Sequence, residues 1–332
     1  MDREQEQMQF LGLFGIFKES FKVIISWRKI FTQITLTLIL PLTFIFLADL
    51  EISNLLFRDI VHTSYEKNFS RPGTKRYNNL SDALSSEWIT LLLFKVVYFT
   101  ILLILSLLST AAVVYTIASI YTGRDFTFRT VLTIVPKVWK RLVVTFLCMF
   151  AAIFVYNFIT VVILAIDLVA FSNTAFGIIF FYVVLAVYVI GFVYLTVVWH
   201  LASVVSVLES SYGIKAMAKS KDLIKGNRTV AVSIFFMLNL SFYLIHYLFE
   251  HLVVHGRSLQ VWKRVGFGVV SFVLLLTLFL CGLVIQTVLY LVCKSYHHEN
   301  IDKGDLSNHL ESYLGEYEPL SGKDVQLEQY HV

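Results

Sequence analysis

The chain has 332 residues, of which 57% are hydrophobic and 15% charged, and a formal net charge of +4. A soluble domain carries about 25% charged residues, and the apolar residues here gather into long runs rather than stripes alternating with polar faces. Composition therefore excludes a soluble globular domain and predicts an all-α polytopic helical membrane bundle.

The chain opens on an acidic, polar stretch from Asp2 to Glu6. That is unlike the basic lead of a cleavable signal peptide, so the first span is expected to act as an uncleaved anchor. Phe10, Phe14, Phe17, Phe21 and Ile24 then recur at three- and four-residue spacing and share one face of a predicted amphipathic helix. Lys18, Glu19 and Lys22 lie off that face, and the stretch closes with Trp27, Arg28 and Lys29.

Six apolar runs follow, at about 31–50, 89–118, 142–170, 177–208, 229–249 and 265–293. Each can cross the roughly 30 Å hydrocarbon core, which takes about 20 helical residues. Several are longer than that, so tilt or helix beyond the bilayer is expected. Pro41 lies inside the first run and predicts a kink there, because proline removes a backbone donor and crowds the preceding turn. Residues 1–293 thus read as a single integral membrane domain. Residues 294–332 hold eight acidic residues against three lysines and read as a flexible acidic tail.

Orientation follows from the basic residues outside the runs. The segments on the side of the two termini hold 18 Lys and Arg, and the opposite segments hold 8. The richer side is expected to be cytosolic, with both termini inside and the membrane one of the secretory pathway. Two glycosylation sequons, at Asn68 and Asn79, fall in the long first loop on the opposite side.

The sequence also repeats itself. Val113, Val114, Ser119 and Tyr121 match Val204, Val205, Ser210 and Tyr212 at one constant offset, and Gly123 and Gly213 follow the tyrosines. Each glycine opens a basic amphipathic stretch ending at the next span. The first contains Lys137 and closes with Trp139, Lys140 and Arg141; the second contains Lys215, Lys219, Lys225 and Arg228. With the N-terminal stretch, the chain reads as a three-fold repeat of cytosolic interfacial helix and transmembrane hairpin. A short helix with an apolar face and basic side chains favours an anionic leaflet. The competing reading is that the basic connectors only enforce topology.

Two resemblances rest on these connectors. Val207-Leu208-Glu209, the run Gly213 to Met217 and the run Ser220 to Gly226 resemble a family of plant multipass membrane proteins. Ser119 to Gly123, Val135 to Arg141 and Phe14 to Ser20 are similar to the same family, so the resemblance covers the chain to about residue 295. More remotely, the second connector is similar to the membrane domain of some bacterial glycerophosphodiester phosphodiesterases. The resemblance implies a multipass fold and transfers no catalytic residue.

Candidate chemistry is sparse. Ionisable groups within a membrane are costly and point to function by default. Lys95, Asp49 and Asp167 stand near span ends at similar depth, and a Lys95–Asp167 or Lys95–Asp49 pair could line a polar path. The alternative is a lysine that reaches the headgroups by its long stem. Asn157 and Asn239 occupy equivalent places in the third and fifth spans and suit interhelical hydrogen bonds. His200, His246 and Gln286 are single polar positions without an evident partner. His251 and His255, beside Glu250, stand one helical turn apart but lack a third metal ligand. Cys293, beside Lys294, is a candidate palmitoylation site, and Tyr317 with Leu320 forms a candidate adaptor-binding sorting motif.

No phosphate loop, nucleophile elbow or catalytic carboxylate pair is found, so the chain is expected to be non-enzymatic and to need no cofactor or metal. The expected partners are the lipid bilayer, including anionic lipid, and membrane or adaptor proteins, with no nucleic acid. The leading reading is a protein that organises, scaffolds or helps traffic components of a secretory-pathway membrane. The alternative is a small-solute transporter with a polar path near Lys95, Asp49 and Asp167.

Overall fold

The structure is a computed structural model that describes residues 11–123, 127–171, 174–256 and 260–297. Helix α1 (Leu13–Ser26) comes first. The first membrane span joins α2 (Arg28–Ile34), a π-helical turn (Thr35–Ile39) and α3 (Leu40–Asn68). Next come α4 (Lys75–Thr122), α5 (Phe128–Phe171) and α6 (Ala175–Leu208). The short α7 (Ile214–Leu223), α8 (Arg228–Phe249), a second π-helical turn (Glu250–Val254) and α9 (Val261–Tyr296) complete the order. Six of these helical stretches are long and apolar enough to cross a membrane, so the protein is a multipass all-α membrane bundle.

Pro41 does not break its helix. It sits at the start of α3, directly after the π-helical turn. The widened turn takes up the ring's crowding and the missing donor, so the irregularity expected at Pro41 includes a π-helical bulge just before it.

The spans are longer than the apolar runs. α4 has 48 residues and α5 has 44, which at 1.5 Å per residue is about 72 and 66 Å, more than twice the hydrocarbon core. The predicted first loop is the main correction. Residues 51–68 continue α3 and residues 75–88 begin α4, so this segment is a helical hairpin. Its polar side chains bond across the pair: Thr63 donates to Glu87 at 2.9 Å, Lys67 donates to Ser81 at 3.1 Å, and Arg76 lies 3.8 Å from Glu66. Apolar content ended the predicted spans, whereas the helix continues wherever its polar groups find partners.

The repeat is realised unevenly. The first and third units each begin with a separate helix, α1 and α7. In the second unit the basic stretch is the first part of α5 itself, running unbroken through Pro136 into the span. Val131, Ile134, Val135, Val138 and Leu142 recur at helical spacing and are buried, so that face packs on the bundle and holds the stretch upright instead of flat. The expected interfacial helix is therefore absent there.

Burial is concentrated at one end. Leu107 and Ser109–Ser119 of α4 are buried on every side, as are Val284–Cys293 of α9 and much of Val197–Leu208 of α6. The α4 stretch is rich in Ala, Ser, Thr and Val, whose small or branched side chains allow close approach of neighbouring helices. α1 packs against α9, so both described ends of the chain meet at this packed end, called here the terminal face.

Away from it the three hairpins diverge. The first and third stay joined by Leu47, Phe249, Val254 and Leu275 and by an ion pair between Glu51 and Arg264. The second, α5 with α6, stands apart, and Phe154, Phe158, Val169, Ile179 and Ile190 are all more than half exposed. Its two helices are clasped by Tyr156, which donates to the Tyr188 carbonyl at 3.0 Å, and by Tyr188, which donates to Asn157 Oδ1 at 2.8 Å. Gly191 makes room for this clasp, since a Cβ there would lie 2.2 Å from the Tyr156 hydroxyl.

Candidate functional site

The polar residues singled out from sequence do not gather at one place. Lys95 Nζ lies 2.8 Å from Asp49 Oδ1 and 2.9 Å from Oδ2, joining α4 to α3, and Ser53 donates to the same carboxylate at 3.0 Å. The Lys95 ammonium also stands 5.4 Å from the Tyr98 ring. Of the two expected pairings, Lys95–Asp49 forms. Lys95–Asp167 does not: Asp167 is on α5, near the tip of the separate second hairpin, buried and with Oδ1 unbonded among the described residues. Asn157 belongs to the clasp of that hairpin. Asn239, its counterpart in the repeat, lines a cavity at the centre of the bundle.

That cavity has a volume of about 350 Å³ and lies where the three hairpins part. Its walls are apolar, with Leu42, Phe46, Phe146, Trp199, Phe242 and Phe279 drawn from all three hairpins. Toward the terminal face it turns polar. His200 Nδ1 lies 2.9 Å from Gln286 Oε1, and the imidazole stacks on Phe235 with centroids 4.6 Å apart. Asn239 donates to the Phe235 carbonyl at 2.8 Å, Ser203 donates to the His200 carbonyl and Thr110 donates to the Ser106 carbonyl. His200 and Gln286, isolated in the sequence, are thus partners across α6 and α9. They stand about 12 to 14 Å, measured by helix rise, inside the level of Glu209 and Lys294, near the middle of a bilayer about 30 Å thick.

The terminal face carries the basic residues. α1 turns Ile16, Ser20 and Val23 inward, while Phe14, Phe21 and Ile25 face out beside Lys18 and Lys22. This corrects the predicted face. Phe17 and Ile24 pack partly against the core, so the phenylalanine stripe is divided between protein and surroundings. Arg28, Lys29, Lys137, Lys140, Lys215, Lys225 and Arg228 are exposed, and Arg141 is half-buried. Lys219 is instead drawn into an ion pair.

That pair belongs to a clamp that sequence reading missed. Glu209, at the end of α6, has Lys219 of α7 2.8 Å from Oε2. At Oε1 it accepts from the Tyr290 hydroxyl at 2.6 Å and from Lys294 at 3.2 Å, both on α9. Burial pushes the Glu209 carboxyl up, but hydrogen bonds from Lys219 and Tyr290 and the Lys294 and Lys219 charges outweigh it and hold the group below the usual carboxylate range. Nearby, Thr145 accepts from the Gly213 amide at 2.8 Å and bonds the Ser206 hydroxyl at 2.7 Å. Gly213 has φ +63°, a conformation in which a side chain is strained.

The remaining candidates separate in the same way. Asn68 and Asn79 are exposed at the tip of the first hairpin. Glu250 and His251 lie in the π-helical turn, where His251 stacks on Tyr247 and His255 Nδ1 meets the Glu250 carbonyl at 3.2 Å. No cluster of three or more metal-ligating side chains exists among the described residues. Cys293 is fully buried in the core, so its thiol is closed to an acyl donor and the expected lipidation has no accessible nucleophile. Tyr317 and Leu320 lie outside the described residues.

Neither a curated protein nor a solved structure matches the chain. One family model covers residues 1–330, nearly all of it. The protein belongs to the family described as domain of unknown function DUF8558.

Proposed function

We propose that the protein is a non-enzymatic organiser of a secretory-pathway membrane, acting through its terminal face on anionic lipid of the cytosolic leaflet and on membrane or adaptor proteins there. The observation that carries this reading is α1. Its inward face packs on the bundle while Phe14, Phe21 and Ile25, flanked by Lys18 and Lys22, face away from the protein. An apolar strip bordered by lysines on a fixed surface helix suits the boundary between acyl chains and anionic headgroups. The exposed Lys215, Lys221 and Arg228 of the third unit extend the charge, whereas Lys225 is paired with Asp222 at 2.6 Å.

Each basic side chain near an anionic leaflet contributes on the order of 1 kcal/mol, and the attraction fades within a Debye length. The full-length protein, extracted in mild detergent, is expected to carry anionic over neutral phospholipid, as measured by mass spectrometry of the bound lipid. Replacing Lys18, Lys22, Arg28 and Lys29 by glutamine lowers that preference, and added salt weakens it. Equal anionic and neutral retention by the parent protein would sink the reading and leave the basic residues as topology determinants.

The orientation has its own test. With both termini cytosolic, Asn68 and Asn79 lie on the luminal side, and the protein loses its glycan-dependent shift in gel mobility only when both are replaced by glutamine. A glycan on Asn227, which heads an Asn-Arg-Thr sequon in the segment before the fifth span, overturns the orientation.

The alternative, transport of a small solute, draws support from the central cavity alone. Asn239 lines it, whereas Lys95 and Asp49 pair with each other outside it and Asp167 lies on a separate hairpin.

A further inference from the structure

We propose that the central cavity is a binding site for an uncharged lipid with a hydroxyl-bearing polar end, entering sideways from the bilayer where the second hairpin leaves the other two. This rests on the cavity and its chemistry, independently of the reading given to the terminal face.

Size is the first consideration. A volume of about 350 Å³ falls within the roughly 300–1,000 Å³ of small-molecule sites. The position is the second. The polar end of the cavity lies near the bilayer middle, and the second hairpin is lipid-exposed on both helices above it. Trp199 and Phe146 of that hairpin line the cavity, are half-buried and meet in an edge-to-face contact with centroids 5.6 Å apart. An apolar body can therefore enter along the walls without crossing water.

Charge decides the class of ligand. Among the described residues, no Asp, Glu, Lys or Arg lines the cavity. A phosphate, carboxylate or ammonium group there would be buried without a counter-ion, which is strongly unfavourable. The polar groups present are neutral and have capacity left. With Gln286 Oε1 as acceptor, a neutral His200 carries its proton on Nδ1 and leaves Nε2 to accept. The Gln286 amide supplies donors, and Asn239 spends one donor on the Phe235 carbonyl and keeps its oxygen. Ser203 and Thr110 donate within their own helices and retain lone pairs. A hydroxyl, which both donates and accepts, satisfies such a mixture. A hydrocarbon would leave it unsatisfied, and a charged headgroup would lack an opposite charge. Two lipid sources share this chemistry, sterols and acylglycerols.

Gly282 makes the proposal testable without disturbing the fold. It lines the cavity, and a Cβ built there meets no atom within 4 Å, so a leucine side chain fills cavity space instead of clashing. Gly266, on the same helix but exposed and outside the cavity, is equally open and serves as the control.

The full-length protein in lipid nanodiscs is exposed in turn to photoreactive sterol, photoreactive diacylglycerol and photoreactive phosphatidic acid, and the crosslinked peptides are mapped. The sterol or the diacylglycerol, whichever is the natural class, is expected to label the stretches around His200, Asn239 and Gln286, and excess unlabelled lipid of that class should compete. Gly282→Leu lowers that labelling about tenfold, equivalent to about 1.4 kcal/mol, while Gly266→Leu leaves it unchanged and both variants keep the parent's unfolding temperature. Asn239→Leu, which keeps the volume and removes the polar group, reduces labelling by the hydroxyl lipids. Absence of labelling by both neutral probes, labelling insensitive to Gly282→Leu, or stronger labelling of these stretches by phosphatidic acid overturns the proposal.

Discussion

Glu209→Gln is expected to lower the stability of the folded bundle by about 2 kcal/mol, read as a fall in the unfolding temperature of the detergent-solubilised protein. Breaking a buried ion pair costs about 3–5 kcal/mol when the surviving charge is left unpaired. The lower figure applies because Lys219 and Lys294 keep 33% and 18% of their side-chain surface in solvent, and exposed charges are screened. Lys219→Met should cost less, since Glu209 retains Lys294 and Tyr290.

The same clamp makes stability depend on pH. The folded carboxyl is held below its ordinary range, so its contribution is fully present above the unfolded carboxylate pKa. It is lost as pH falls through the lower folded value. The parent protein should therefore lose unfolding temperature on acidification by a component that Glu209→Gln lacks. Parallel pH profiles for the two proteins would remove Glu209 from the account of how α7 is held to α9.

Lys95→Leu is expected to be more damaging than the joint replacement of Lys95 and Asp49 by leucine. Alone it strands the Asp49 carboxylate, only 9% exposed, with the Ser53 hydroxyl as its remaining partner among the described residues, at a cost of about 3 kcal/mol. The double variant removes both charges and returns to within about 1 kcal/mol of the parent, because an apolar pair packs where two desolvated ions stood. A thermal double-mutant cycle measures the coupling. If Lys95→Leu is silent, the ammonium is satisfied by headgroups and the pair contributes nothing to holding α3 on α4.

Both predictions separate charges that hold helices together from charges that handle a ligand. Glu209 and Asp49 each use up their neighbours within the protein, whereas the cavity between them holds polar groups with bonding capacity left over and no charge. A substitution at Glu209 or Lys95 should therefore be read in stability, and one at Gly282 or Asn239 in lipid occupancy.

The spans, the basic connectors and the recurrence of glycine and tyrosine before them were legible in the sequence, because each follows from local composition. A run of about 20 apolar residues has no other stable place than a membrane. Helix beyond the bilayer was not legible in the first hairpin, because the bonds that sustain it, such as Thr63–Glu87, join residues from different helices. The same holds for α1, where periodicity displayed an apolar face but the packing on α9 decided which side faces the bundle. His200 and Gln286 stand 86 positions apart and looked solitary, and the clamp on Glu209 was not legible because Lys219, Tyr290 and Lys294 come from two other helices. Sequence by itself determined that this chain crosses the membrane six times and where its basic segments fall, since hydropathy and charge act through neighbouring residues. Only the tertiary structure decided which polar groups are used up in ion pairs and which keep bonding capacity in the cavity, because that depends on the divergence of three hairpins from one packed end.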